Sequence, residues 1–212
     1  MAIRLALFVD EFTSYKHWHN ALLQGGLVEP PLVSNQLDEL IAAERLIISS
    51  QRPLSATLSQ FSQYQIDAVI QQRLAANKPT LLVGAAVHAA LAGGGQYDWL
   101  GLGVLPGVLT PFQPQRNDVG ERVKAPHLGW NALVSLPPHP LWAGIDEGAF
   151  AYFSHQYYVD QIPPETQLAH VHHGVYFPAV FYQQSVCAVQ FRPEVSARTG
   201  VQFLENFLRW RP

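Results

Sequence analysis

Apolar and polar positions along the 212-residue chain follow two rhythms, one in each half. In the first half, short and largely apolar runs, IRLALFV, PPLVS, RLIISS and TLLVG, alternate with stretches whose apolar residues recur every three or four positions. A strand with no polar face is covered on both sides, as a parallel strand between helices is. The intervening stretches predict a helix near residues 15–23, another over LDELIAAE, one long amphipathic helix from about 55 to 76, and a helix after Gly84. Strands separated by helices of this length predict a parallel sheet with right-handed crossovers.

From Leu102 onward the chain is rich in Pro, Gly, Trp and Tyr. Its short runs AFAYFSHQYYV, QLAHVHH, FPAVFYQ and VCAVQF predict antiparallel strands and hairpins. A closing helix over ARTGVQFLENFLRW carries Val201, Leu204, Phe207 and Leu208 on one face. No repeat, linker or low-complexity block interrupts the pattern, so residues 1–212 are expected to form one α/β domain.

Composition narrows the function. Charged residues make up only 14% of the chain, against roughly 25% in an ordinary soluble domain, so part of the surface is expected to be covered by a partner. The formal charge of −3 and the lack of any Lys/Arg run argue against nucleic acid or an anionic membrane as that partner. MAIRLALFVDEF fits a first core strand rather than a signal peptide. No apolar run approaches the roughly 20 residues of a membrane span. A single cysteine, Cys187, between apolar neighbours, fits a small buried hydrophobe in a reducing cytoplasm.

Candidate chemistry begins at TLLVGAAVHAALAGG, where a buried strand breaks into small residues and then a helix. In α/β enzymes such an elbow lifts a nucleophile on a strained turn, but the tip here is Gly84. His88 follows by four residues, one helical turn on, and is expected to face the same cleft. Arg192 and Glu194 lie two apart in strand-like sequence, which would set their side chains on one face as an ion pair. The alternative has Arg192 and His88 lining the cleft to bind an anionic small molecule. His170 and His172 alternate in HVHH, yet no Cys or carboxylate cluster at ligand spacing accompanies them, and neither metal nor cofactor is expected.

The segments KAPHLGWNAL, HPLWAGIDEGAFAYFSHQYYV and CAVQFRPEVS, followed by the last helix, resemble in order and spacing the class I glutamine amidotransferase family. The likeness is nearest to the glutaminase subunits of imidazole glycerol phosphate synthase. It implies a three-layer flavodoxin-like sandwich whose mixed central sheet has an antiparallel C-terminal portion. It also implies a Gly-x-Cys-x-Gly elbow and a later His-Pro-Glu; at the matching positions this chain has Leu82, Gly84 and Ala86, then Arg192, Pro193 and Glu194. The family's oxyanion-forming Pro-Gly-x-Gly loop falls on Ser49, Ser50, Gln51, Arg52 and Pro53. His88 stands where the family has a Gln near the substrate, and His155 and Tyr157 belong to its Tyr-Phe-x-His-x-Tyr-Tyr run beside the old pocket. Trp130 and Asn131 fall in the segment that docks on a (β/α)8-barrel synthase, while the family's lysine after Pro-Glu is Val195 here. Two readings follow: a glutaminase-like subunit without glutamine hydrolysis that binds a synthase-like protein or itself, and a repurposed enzyme or small-anion-binding protein using the old cleft.

Overall fold

Alternation within the buried strands decides which layer each side chain feeds. A computed structural model describes residues 3–94, 97–116 and 122–212. Along the chain come β1 (Leu5–Val9), α1 (Tyr15–Gln24), β2 (Leu32–Val33), α2 (Leu37–Ala42), β3 (Arg45–Ser50), α3 (Leu54–Gln63), α4 (Ile66–Ala75), β4 (Thr80–Gly84) and α5 (Ala85–Ala90). Then follow β5 (Gly93–Gly94), β6 (Tyr97–Leu100), β7 (Val108–Pro111), β8 (Gln115–Arg116), β9 (Arg122–Val123), β10 (His127–Ala132), β11 (Phe150–His155) and β12 (Tyr157–Asp160). The chain closes with β13 (Gln167–His172), β14 (Tyr176–Gln183), β15 (Val186–Val189) and α6 (Ala197–Arg209).

Seven strands form the central sheet in the order β13-β14-β15-β4-β3-β1-β2. The five from β15 to β2 pair in parallel, and β13 and β14 add an antiparallel edge. The parallel part has the flavodoxin-like strand order, whose ligands sit beyond the C-terminal strand ends. Leu5, Leu7, Ile47, Leu81, Val83 and Cys187 point to one face, against Trp18 and Leu22 of α1 and Phe203, Leu204 and Phe207 of α6. Ala6, Phe8, Leu46, Ile48, Leu82 and Ala188 point to the other, against Phe61, Ile66, Val69, Ile70 and Val87 of the helices α3 to α5. Among the described residues no helix is long and apolar enough to cross a membrane.

Three local expectations are corrected. The helix expected over 55–76 is two, because Gln65 takes a left-handed conformation at φ 52°. That break leaves Tyr64 packed edge-on to Phe8 at 5.8 Å and lets α4 turn Ile66, Val69, Ile70 and Arg73 inward. The buried face of α6 is built on Phe203 rather than Val201, which is only half-buried. Arg192 and Glu194 are not on a strand: β15 ends at Val189, and Pro193–Val195 form a 3-10 turn.

That turn leans on α6 through Gly200, where a Cβ would lie 2.0 Å from the Pro193 carbonyl oxygen. No flexible side chain is there to yield. Gly200→Ala is therefore expected to destabilise the fold by about 2 kcal/mol or more, from overpacking against backbone. Urea unfolding reads the loss; a midpoint unchanged from wild type would show that helix and turn separate freely.

Candidate active-site cavity

Gly84 ends β4 at φ 66° and ψ −134°, a conformation that side chains rarely adopt. In parallel register its neighbour is Ser50, the last residue of β3. A Cβ on residue 84 would lie 2.4 Å from the Ser50 carbonyl oxygen and 2.9 Å from Gln51 Nε2. The elbow thus persists in a form that only glycine fits, with the β3 loop closed over it.

Asp10, at the end of β1, holds that loop shut. Its carboxylate is only 4% exposed and accepts from Ser50 Oγ at 2.6 Å, Gln51 N at 2.8 Å and Arg52 N at 3.2 Å. On the other side it takes Thr13 Oγ at 2.9 Å and Phe12 N at 3.0 Å. Arg52 closes the same junction by pairing with Glu11 and lying over the Phe12 ring. Backbone N–H groups committed to a buried carboxylate are not free to stabilise an oxyanion, which needs donors aimed at the developing charge.

Beyond the elbow lies a cavity of about 550 Å³. Gly84, His88, His155 and Tyr157 line it, together with residues 50–55 and Pro126. His88 is 7% exposed, stands edge-on to the Tyr157 ring, and has its pKa lowered by burial to about 4. His155 donates from Nδ1 to the Tyr157 carbonyl at 2.7 Å, and its Nε2 lies 3.0 Å from His127 Nδ1. The His127 Nε2 in turn faces Asn131 Nδ2 at 3.2 Å. Asn131 Oδ1 accepts from Ala132 N, so its amide nitrogen must point at the His127 ring and the His172 carbonyl. The direction of every proton follows: Asn131 donates to His127, His127 to His155, and His155 to the backbone. Both rings are neutral in this chain. Burial first, then the neighbouring His173, lowers His127 to about 3, and burial with His127 holds His155 well below the ordinary range.

The remaining candidates lie elsewhere. Arg192 and Glu194 are not among the residues lining the cavity. Arg192 Nε donates to Glu194 Oε1 at 2.9 Å, while among the described residues the buried Glu194 Oε2 has no partner. Burial outweighs the guanidinium and raises the Glu194 pKa. Cys187 is fully buried in β15, and burial pushes its thiol up, away from the thiolate. His170 contacts Gln167 and stacks on Tyr176. Trp130 is 52% exposed on the outer face of β10, beside Leu128 at 64% and across from Tyr152 and Phe150 on β11. Asn131, one position on, points inward to the histidines, which its place in a docking segment did not foretell. Sequence reasoning passed over Asp10 as the organiser of the site. The signal was there: an acid closing an apolar strand, with Thr13 three residues on, is the pattern of an Asx-type turn.

A model of the glutamine amidotransferase class-I family matches residues 55–210. Imidazole glycerol phosphate synthase subunit HisH 1 of Pseudomonas aeruginosa is 31% identical over 180 residues, spanning 84% of this chain and 84% of its own. The HisH subunit of Methylococcus capsulatus is 33% identical over 187 residues, spanning 85% of this chain and 84% of its own. Among solved structures, the glutaminase domain of Trypanosoma brucei CTPS with bound acivicin aligns at a TM-score of 0.66 and 13% identity, over 99% of this chain and 96% of that one. A glutamine amidotransferase crystal structure aligns at 0.67 and 16% identity, over 95% of this chain and 98% of that one. The structural matches speak for the fold: an α/β sandwich of the class I type with a mixed central sheet.

Two predictions follow from the site's geometry. Gly84→Ala is expected to destabilise by on the order of 2–4 kcal/mol, from strain at positive φ and collision with backbone; a stability equal to wild type would mean the loop opens at no cost. Stability is also expected to fall with acid. Groups whose folded pKa is depressed contribute stability above the unfolded value near 6.5 and lose it as pH drops toward the folded value. His88 and His127, at about 4 and about 3, should each forfeit on the order of 1–2 kcal/mol by about pH 5. Glu194, with its raised pKa, works in the opposite direction but is one group against five lowered histidines, His88, His127, His139, His155 and His170. Urea midpoints that stay flat from about pH 7 to 5 would contradict buried neutral imidazoles.

Proposed function

The chain belongs to the class-I glutamine amidotransferase family, and on that premise we propose that it is a glutaminase-like subunit that hydrolyses no glutamine and acts by docking on a synthase-like (β/α)8-barrel partner. The observation that carries this reading is the elbow: residue 84 has no side chain, and a Cβ there would meet the Ser50 carbonyl at 2.4 Å. Amide cleavage by this architecture needs a thiolate to attack and an imidazole to move protons. Gly84 and Arg192 occupy those places, and arginine is no base near neutral pH. The single thiol, Cys187, is buried in the sheet core.

Retained packing around the elbow supports loss of chemistry without loss of fold. Leu82 and Ala86, where the family's elbow has glycines, are fully buried in the layer under α3 to α5. The surface supports docking: Leu128, Trp130 and Phe150 expose their apolar groups on one face of the β10–β11 ribbon, and exposed Trp is the residue type most favoured as an interface anchor. The HisH relatives are by name subunits of a synthase, which is the kind of assembly proposed here. A cytoplasmic setting goes with it.

Purified chain, alone or with its partner, is expected to release no glutamate from glutamine; steady turnover that survives Cys187→Ser would overturn the reading. Gly84→Cys combined with Arg192→His should remain silent, because the β3 loop still fills the space and Asp10 still holds its amides. Trp130→Ala is expected to weaken partner binding by roughly tenfold or more, measured by co-purification and by titration with a (β/α)8-barrel synthase subunit. Equal affinity for wild type and variant would remove the ribbon face from the interface.

A further inference from the structure

We propose that the cavity beyond Gly84 binds a small monocarboxylate, held by the Gln51 side-chain amide, the His88 imidazole and the first backbone N–H groups of α3. Three independent observations meet there. Gln51 lines the cavity, and among the described residues its buried Nε2 has no hydrogen-bond partner. A buried donor left unpaired costs roughly 1–3 kcal/mol, which a bound acceptor relieves. His88 also lines the cavity and is nine-tenths buried, and among the described residues no hydrogen bond occupies its ring nitrogens. As a neutral imidazole it presents one N–H and one acceptor. The third is α3 itself, ten residues long, which starts after Pro53 with no side-chain cap. Leu54 and Ser55, its first two residues, line the same cavity, which sets the positive end of the helix beside the space.

The charge balance selects the class of ligand. Among the described residues, no Asp or Glu lines the cavity. Arg52 does line it, but that guanidinium is already matched by Glu11, and the Asp10 carboxylate lies directly behind the loop. The space therefore offers neutral donors and helix N–H groups without an uncompensated cation. That suits one negative charge spread over two oxygens, whereas a phosphate dianion would need full positive charges to replace its hydration. A neutral amide would leave the donors short of strong acceptors. Leu54, Pro126 and the ring of Tyr157 complete an apolar wall for a short hydrocarbon tail. Arg192, the residue that sequence alone would enlist for an anion, has no part in this site, since it does not reach the cavity lining.

The test uses the full chain without a partner, so its outcome is independent of docking. Sodium butyrate is titrated into the protein by calorimetry, and in parallel by NMR following the Gln51 side-chain NH2 and the His88 ring. Saturable binding in the millimolar range or tighter, with both sets of resonances moving, is expected. Butyramide and inorganic phosphate should bind at least tenfold more weakly. Gln51→Leu and His88→Phe should each weaken butyrate by about tenfold or more, with near-UV circular dichroism reporting that they fold. No saturation by about 50 mM, equal binding of butyramide, preference for phosphate, or butyrate shifts that bypass Gln51 and His88 in the unaltered chain would each overturn the proposal.

Discussion

A single carboxylate ties the functional end of this molecule together. Asp10 sits where β1 leaves the sheet and receives hydrogen bonds from the hydroxyl of Ser50 and the amides of Gln51 and Arg52, where β3 leaves it. Hydrogen bonds to an ionised acceptor are the strong ones, and here several converge on one buried group. The consequences run outward from that point. The Ser50 carbonyl is fixed above the elbow, Pro53 is set as the uncapped start of α3, and Arg52 is turned toward Glu11 and Phe12. What the cavity can and cannot bind is decided largely by which of these groups Asp10 has already occupied.

The ribbon of β10 and β11 serves two surfaces because successive strand residues point to opposite sides. Outward go Leu128 and Trp130, opposite Ser154 and Tyr152. Inward go His127, held against Phe153 and His173, and Asn131, which fixes its tautomer. The inner side reaches the cavity through His155. An exposed apolar face and a cavity wall are thus two sides of one pair of strands, with a directed row of hydrogen bonds between them.

Much of this was legible in the sequence, and the limits of legibility have physical reasons. Buried runs and helical periods mark the parallel strands because burial on both faces leaves a plain signature: Leu5 to Val9, Arg45 to Ser50 and Thr80 to Gly84 fall where the pattern sets them. Gly84 is legible as an elbow because glycine takes its backbone angles at no steric cost. The break at Gln65 was not, since a single left-handed residue interrupts the chain without disturbing the apolar period that runs through it. The turn at Pro193–Val195 was missed for a related reason, because apolar sequence continues to Phe191 beyond the last paired residue of β15. Least legible of all was Asp10, whose partners lie some 40 residues away. A long-range hydrogen bond leaves no periodicity in the chain.

The same reasoning explains why Arg192 and Glu194 resemble a site while lying outside one. A carboxylate with 0% of its side chain exposed, beside a guanidinium at 21%, has the residue types and the burial of catalytic machinery. Yet such a pair contributes little net stability once desolvation is set against attraction, and one Glu194 oxygen finds no hydrogen-bond partner among the described residues. Neither member of the pair is among the described residues that line the cavity. The polar side chains that do line the cavity, among them Gln51, Arg52, His88, Ser154 and Tyr157, come from other elements. With glycine at the elbow tip and Arg192 turned to Glu194, the cleft keeps its shape from the backbone where β3 and β4 end rather than from the pair that resembles a site.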